Sequence, residues 1–242
     1  MTLSKRQEEL LKAIIAEFID TAQAVGSLTL SDKYELGVSP ATLRLEMSRL
    51  VDEGYLFKEH SSAGRVPTTL GMRYFLSRMM EEDVIDKLLE IKLKEKLFQK
   101  RYNRGRFIKE SVKALSKLTD SSALALVDNV IFTSGISCLA SLPEFEDTEV
   151  LQTILSIIES EGTLNELFEK YLKKDDLTIL IGDEIGIESL NDCSIVFSPF
   201  RFFRGDLGYI ASIGSRRMHY SKVLPAIRSI ANFIEESIVG WD

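Results

Sequence analysis

The sequence predicts an α+β protein in three stretches: a winged helix-turn-helix domain over residues 1–80, a helical linker over 81–120 that could also dimerise, and a mixed domain over 121–242. Three observations carry that reading. A pattern of cap, helix, stop and hairpin runs from Gly26 to Thr68. A proline-free helical stretch follows from Glu82 to Leu118, and short β-rich runs alternate with amphipathic helices from Ser121 onwards.

Taken in order, Ser4 with Gln7 forms a capping-box signature, and Leu10, Leu11, Ile14, Ile15 and Phe18 make one helical core stripe. Leu28 to Tyr34 supplies the first helix of the helix-turn-helix, and Glu35-Leu36-Gly37-Val38 its turn. Ser39 is a good N-cap and Pro40 a good first helical residue. Leu43, Met47, Leu50 and Val51 recur at helical spacing, and Gly54 offers a left-handed stop. Tyr55 to Glu59 reads as a strand, Ser61-Ser62-Ala63-Gly64 as a turn and Arg65-Val66 as the returning strand, which completes the wing. Thr68 or Thr69 then caps a helix with Leu70, Tyr74, Phe75 and Met79 on its apolar side.

Between Glu82 and Leu118 two apolar lines appear, Val84-Leu88-Ile91 and Ile85-Leu89-Leu93-Leu97, which suggests burial against a partner helix, including one from another subunit. Beyond Ser121, strands are expected over 123–127, 130–133, 177–181, 194–197 and 207–213, with helices over 148–160, 163–173 and 220–237. That mixture predicts a mainly antiparallel sheet.

The net charge of -7 is unevenly spread. Residues 1–80 hold 10 basic and 10 acidic side chains, 81–120 hold 11 and 8, and 121–242 hold 9 and 19. Phosphate binding needs a local basic face rather than a basic total, so this distribution allows DNA binding without requiring it. The apolar runs are short or charge-interrupted, and the first residues lack a secretion-signal pattern, so a cytoplasmic protein without membrane spans is expected. Cys138 and Cys193 lie far apart in apolar surroundings, which favours free thiols over a disulfide.

Catalytic constellations are scarce. His60 and His219 are the only histidines, and no zinc spacing, phosphate loop or nucleophile elbow is present. Asp183-Glu184 and Glu144-Glu146-Asp147 read as solvated loop acids, so no enzyme activity, cofactor or metal is expected. The candidate DNA contacts are better placed. Residues opening a recognition helix face the major groove, which selects Ser39, Ala41, Thr42, Arg44 and Leu45, with Arg49 further along. Lys58, His60, Ser61 and Arg65 lie on or beside the hairpin tip, where they reach the minor groove or the backbone. Arg44 and Arg49 could instead pair with Glu46 and Glu53 on their own helix.

The segments VGSLTLSDKYELGVSPATLRLEM and HSSAGRVPTTLGMRYF, followed by SCLASLPEF, LTILIGDE and GDLGYIASIGSRRMHYSKVLPAI, resemble the HrcA family of bacterial heat-inducible transcription repressors. The resemblance implies a cytoplasmic homodimer with a winged helix and a GAF-like C-terminal domain, bound to an inverted repeat, the CIRCE element, upstream of chaperone operons. It also implies that the GroEL chaperonin keeps the repressor in its DNA-binding form and that heat ends repression. Leu45 stands where the family usually has Asn and Leu28 where it has Arg, which implies altered operator contacts. Ser215-Arg216 stands for the family's Pro-Thr and His219 for its Asp. Between Val127 and Ser137 only a short connection occupies the place of an inserted dimerisation domain. An alternative reading keeps the winged helix and gives the GAF-like domain a small-molecule effector.

Overall fold

Ser4 accepts the amide of Gln7 at 3.3 Å and Gln7 returns a bond to the Ser4 amide at 3.0 Å, which starts α1 (Lys5–Thr21). The computed structural model describes residues 3–58, 64–172, 177–202 and 206–238. They form two units, Met1–Glu81 and Glu82–Asp242.

In the first unit, the α1 stripe of Leu10, Leu11, Ile14, Ile15 and Phe18 is buried. It packs against α3 (Pro40–Asp52), which contributes Leu43, Met47 and Leu50, and α2 (Ser27–Lys33), packed on α3, adds Leu30. Each such side chain is worth roughly 1.5–3 kcal/mol on burial. Glu17, a buried acid on α1, accepts from Lys33 Nζ at 2.6 Å, and that bond raises the Lys33 pKa. Gly54 adopts the left-handed conformation after α3 (φ 81°) and turns the chain into β1 (Leu56–Phe57), which pairs antiparallel with β2 (Val66–Pro67). Val25 exchanges both backbone hydrogen bonds with Arg65, at 2.9 and 2.8 Å, and so adds a third short segment beside β2. Gly64 makes that approach feasible, since a Cβ there would lie 2.5 Å from the Ala24 carbonyl. Thr68 caps α4 (Thr69–Arg78), whose buried residues are Gly71 and Met72. Leu70, expected on the apolar side of this helix, is exposed instead, because Gly71 rather than Leu70 takes the close approach to the Tyr55 carbonyl.

In the second unit, the stretch expected as one helical run from Glu82 to Leu118 is two helices. α5 (Lys87–Phe98) and α6 (Arg104–Thr119) are separated at 99–103, where Asn103 caps the second by accepting from Arg106. α6 packs on the sheet and on α10 (Tyr220–Ile238), burying Phe107, Ile108, Val112 and Leu115. The sheet is antiparallel throughout, in the order β4 (Val130–Ser134), β3 (Ser122–Val127), β7 (Leu207–Ser215), β6 (Cys193–Arg201), β5 (Thr178–Ile181). β3 and β4 join through Asp128 and Asn129, both at positive φ (51° and 58°), a two-residue turn of the kind that matches strand twist.

One sheet face carries Leu124, Leu126, Ile195, Phe197, Tyr209, Ala211 and Ile213 into a core closed by α7 (Ile136–Ala140), α8 (Thr148–Glu159) and α9 (Glu161–Tyr171). α6 and α10 pack against the sheet through contacts with β3, β4, β6 and β7. Cys193 is buried in the first of these cores, where burial pushes its thiol pKa up to about 12, and both cysteines are free. Pro225 lies inside α10 and cannot donate to the Ser221 carbonyl one turn back. The Asp83 amide takes that carbonyl instead, at 2.9 Å, and fixes the chain leading into α5. Among the described residues no helix is long and apolar enough to cross a membrane.

Candidate nucleic-acid interface

α3 buries Leu43, Glu46, Met47 and Leu50, and its 3.6-residue period therefore turns Ala41, Arg44, Leu45 and Ser48 outward together. Ser39 caps the helix, accepting the Thr42 amide at 3.3 Å and meeting the Thr42 hydroxyl at 3.0 Å. Thr42 is half-buried beside it, and Leu45 is 54 % exposed.

Arg44 does not pair along its own helix. Its Nε donates to Ser27 Oγ on α2 at 3.2 Å, and its terminal nitrogens meet no partner among the described residues. Arg49 does pair locally, with Glu46 at 2.8 Å. That contact is the structural alternative weighed for it from sequence, and the pair is exposed on the Arg49 side.

Arg44, Lys58 and Arg65 converge on one cleft of about 730 Å³, bounded by Val25–Thr29, one side of α3 and the hairpin. No acidic residue is among the described residues that line it. Burial lowers the Arg65 pKa from its ordinary value, which leaves the guanidinium charged at any physiological pH. His60 and Ser61 lie outside the described residues. Sequence reasoning missed Ser27, Thr29 and Ser48 on the cleft wall. Ser48 was within reach, being one turn beyond Arg44 on the outward stripe. Ser27 was not, because nothing local links it to a side chain 17 residues later.

The second unit holds a smaller cavity of about 260 Å³ where β7 ends, walled by Ser121, Ser215, Arg217, His219 and Lys222 among others. Here the arginine is held. Arg217 grips Glu144 through Nε and, at 3.2 Å, through a second guanidinium nitrogen, while Ser215 Oγ donates to the same carboxylate at 2.7 Å. Burial works to raise the Glu144 pKa, but the Arg217 and Ser215 hydrogen bonds outweigh it and hold the carboxyl below its ordinary value. Glu184 accepts from the Ile181 amide at 2.8 Å. No cluster of three metal-ligating side chains occurs among the described residues.

Comparison with known proteins bears on the whole chain. A family model described as the HrcA protein C-terminal domain matches residues 72–224. The heat-inducible transcription repressor HrcA of Carboxydothermus hydrogenoformans is 24% identical over 337 aligned positions, covering 98% of this chain and 98% of that protein. The repressor of the same name from Symbiobacterium thermophilum is 26% identical over 336 positions, covering 97% and 98%. An alignment of 337 positions on a chain of 242 residues means that at least 95 positions have no counterpart here. A crystal structure described only as that of a hypothetical protein has the same fold, with a TM-score of 0.77 and 17% identity over 99% of both chains. With the family match extending over more than half of its residues, this chain belongs to the HrcA family of heat-inducible transcription repressors, which are not enzymes.

Proposed function

We propose that the first unit is a winged-helix DNA-binding module with α3 as its recognition helix. Two copies of the chain hold an inverted-repeat operator of the CIRCE type upstream of chaperone operons, in the cytoplasm. The observation that carries this reading is the cleft in which Arg44, Lys58 and Arg65 converge with no acid among the described lining residues. Such a site attracts phosphate. Ser39, Ala41, Thr42, Arg44 and Leu45 enter the major groove, with Arg49 at the edge; Lys58, His60, Ser61 and Arg65 grip the backbone or the minor groove. An inverted repeat needs two recognition helices at fixed separation, so the active form is a homodimer.

The antiparallel sheet, in which the second strand of the unit lies at one edge beside the first and then the fifth, fourth and third, supports a GAF-like regulatory domain. GroEL chaperonin maintains the DNA-binding form, and heat, acting on a fold only a few kcal/mol from unfolding, ends repression. A mobility-shift titration with an inverted-repeat operator, with and without chaperonin, tests this. Saturable retardation that falls steeply with salt and is strengthened by chaperonin is expected; equal affinity for a scrambled duplex would remove the reading.

The 260 Å³ cavity supports a second reading, in which the same DNA-binding module is governed by a small-molecule effector. A rise in Tm on adding small metabolites would favour it.

A further inference from the structure

The two apolar lines expected between Val84 and Leu97 meet different surroundings, and only their members from Leu88 onwards lie on α5. Leu97 is buried and Ile85 and Leu93 are half-buried, on the side that faces α6 and α10, while Leu89 of the same line is 49 % exposed. There Glu82 pairs with Arg228 at 2.5 Å, Ser229 Oγ donates to Glu90 at 3.3 Å, and Lys94 lies 5.9 Å from the Phe233 ring centre. The other line stays outside. Val84 is 88 %, Leu88 68 % and Ile91 53 % exposed, and Phe98 continues the line with Arg101 stacked on its ring at 3.6 Å. Val84 precedes the helix, whereas spacings of three and seven place Leu88, Ile91 and Phe98 on one stripe of α5, with Glu95 between the last two. An exposed apolar patch of this kind marks an interaction surface.

The charges along the same stretch identify the occupant. Residues 81–90, leading into and opening α5, carry five acids and one base, of which Glu82 and Glu90 already pair within the chain; residues 92–101, at its other end, carry five bases and one acid, of which Lys94 and Lys96 are paired within the chain. Laid antiparallel about a two-fold axis, two copies bring each acidic end against the other's basic end; a parallel arrangement would oppose like charges. A two-fold contact needs one patch complementary to itself, and this stripe has that property. We propose that the outer face of α5 is an antiparallel homodimer seam, with Leu88 of one copy packed beside Phe98 of the other. The seam rests on the dimeric reading above and supplies its missing interface, in a chain with at least 95 fewer alignment positions than its relatives.

Light scattering and sedimentation of the full chain test it. The wild type is expected at twice the 27.3 kDa chain mass, and Leu88→Glu with Ile91→Glu at the single mass with an unchanged circular dichroism spectrum. A double variant that remains dimeric overturns the seam while leaving the dimer intact. A wild type that is monomeric throughout overturns both. Charge reversal gives an independent check at exposed or half-exposed positions. Asp83→Lys and Lys100→Glu should each weaken dimerisation roughly tenfold, and together restore it. A combination weaker than either single change would overturn the antiparallel arrangement.

Discussion

The cleft beside α3 and the cavity at the end of β7 are both lined by cations, and they differ in what those cations face. In the second unit Arg217 meets Glu144, which is itself fixed by Ser215, and the charge is satisfied internally. In the first unit Arg44 is steadied through Ser27, while its terminal nitrogens meet no partner among the described residues and Arg44 lines the cleft. A cation held by a carboxylate contributes to the fold. One braced by a neutral hydroxyl at its root and open at its tip is available to an external anion.

The largest test of that contrast is Arg217→Ala. It leaves the Glu144 carboxylate without its partner in a mostly buried setting and should destabilise the second unit by roughly 3 kcal/mol in calorimetry at neutral pH. Because Glu144 is held below its ordinary value, its contribution is present above the ordinary glutamate range of about 4.3 and is lost as pH falls through the lowered value. The variant should therefore show a shallower loss of Tm on acidification than the wild type. Arg44→Ala should do the reverse, weakening operator binding by about 1–3 kcal/mol in a mobility shift with little change in Tm. A large stability loss with undiminished binding would make Arg44 the equivalent of Arg217 and break the comparison.

Gly64→Ala sharpens it without removing a charge. A methyl group 2.5 Å from the Ala24 carbonyl should separate the Val25–Arg65 bridge, cost about 1–3 kcal/mol of stability and weaken binding by displacing Arg65. Leu45→Asn, at an exposed site on the outward stripe, should alter base preference in a binding-site selection by about 1 kcal/mol, because an amide can pair with adenine where leucine offers only apolar contact. Arg49→Ala should be the mildest, at about 0.5 kcal/mol or less in Tm-derived stability, since its pair with Glu46 is solvent-screened.

The elements governed by local rules were legible in the sequence. Ser39, Pro40 and Gly54 set the limits of α3 through cap and backbone chemistry that acts within one turn. The strands of the second unit followed in place from β-rich runs between turn residues, although β6, expected over 194–197, extends over Cys193–Arg201. What escaped were pairings between distant residues. The Val25–Arg65 bridge joins segments 40 residues apart and has no alternation to announce it. The outward face of α4 was misjudged because a glycine, which carries no hydrophobic signal, takes the close-packed position. The helix through Pro225 was legible over 220–237, but the Asp83 amide that satisfies the carbonyl Pro225 orphans was not, being a pairing between distant segments. At the cleft, the basic residues could be named individually, but their convergence depends on the bridge that places Arg65 opposite Arg44.

The Asp128–Asn129 turn has an evolutionary consequence. Its flanking residues, Val127 and Val130, are cross-strand neighbours, about 5 Å apart as in any paired ladder, so a polypeptide of any length spliced there would leave and re-enter the sheet at nearly the same point. Both turn residues are solvent-facing, and neither contributes to the hydrophobic core. The hairpin is thus a port at which whole modules can be gained or lost while the host sheet keeps its register.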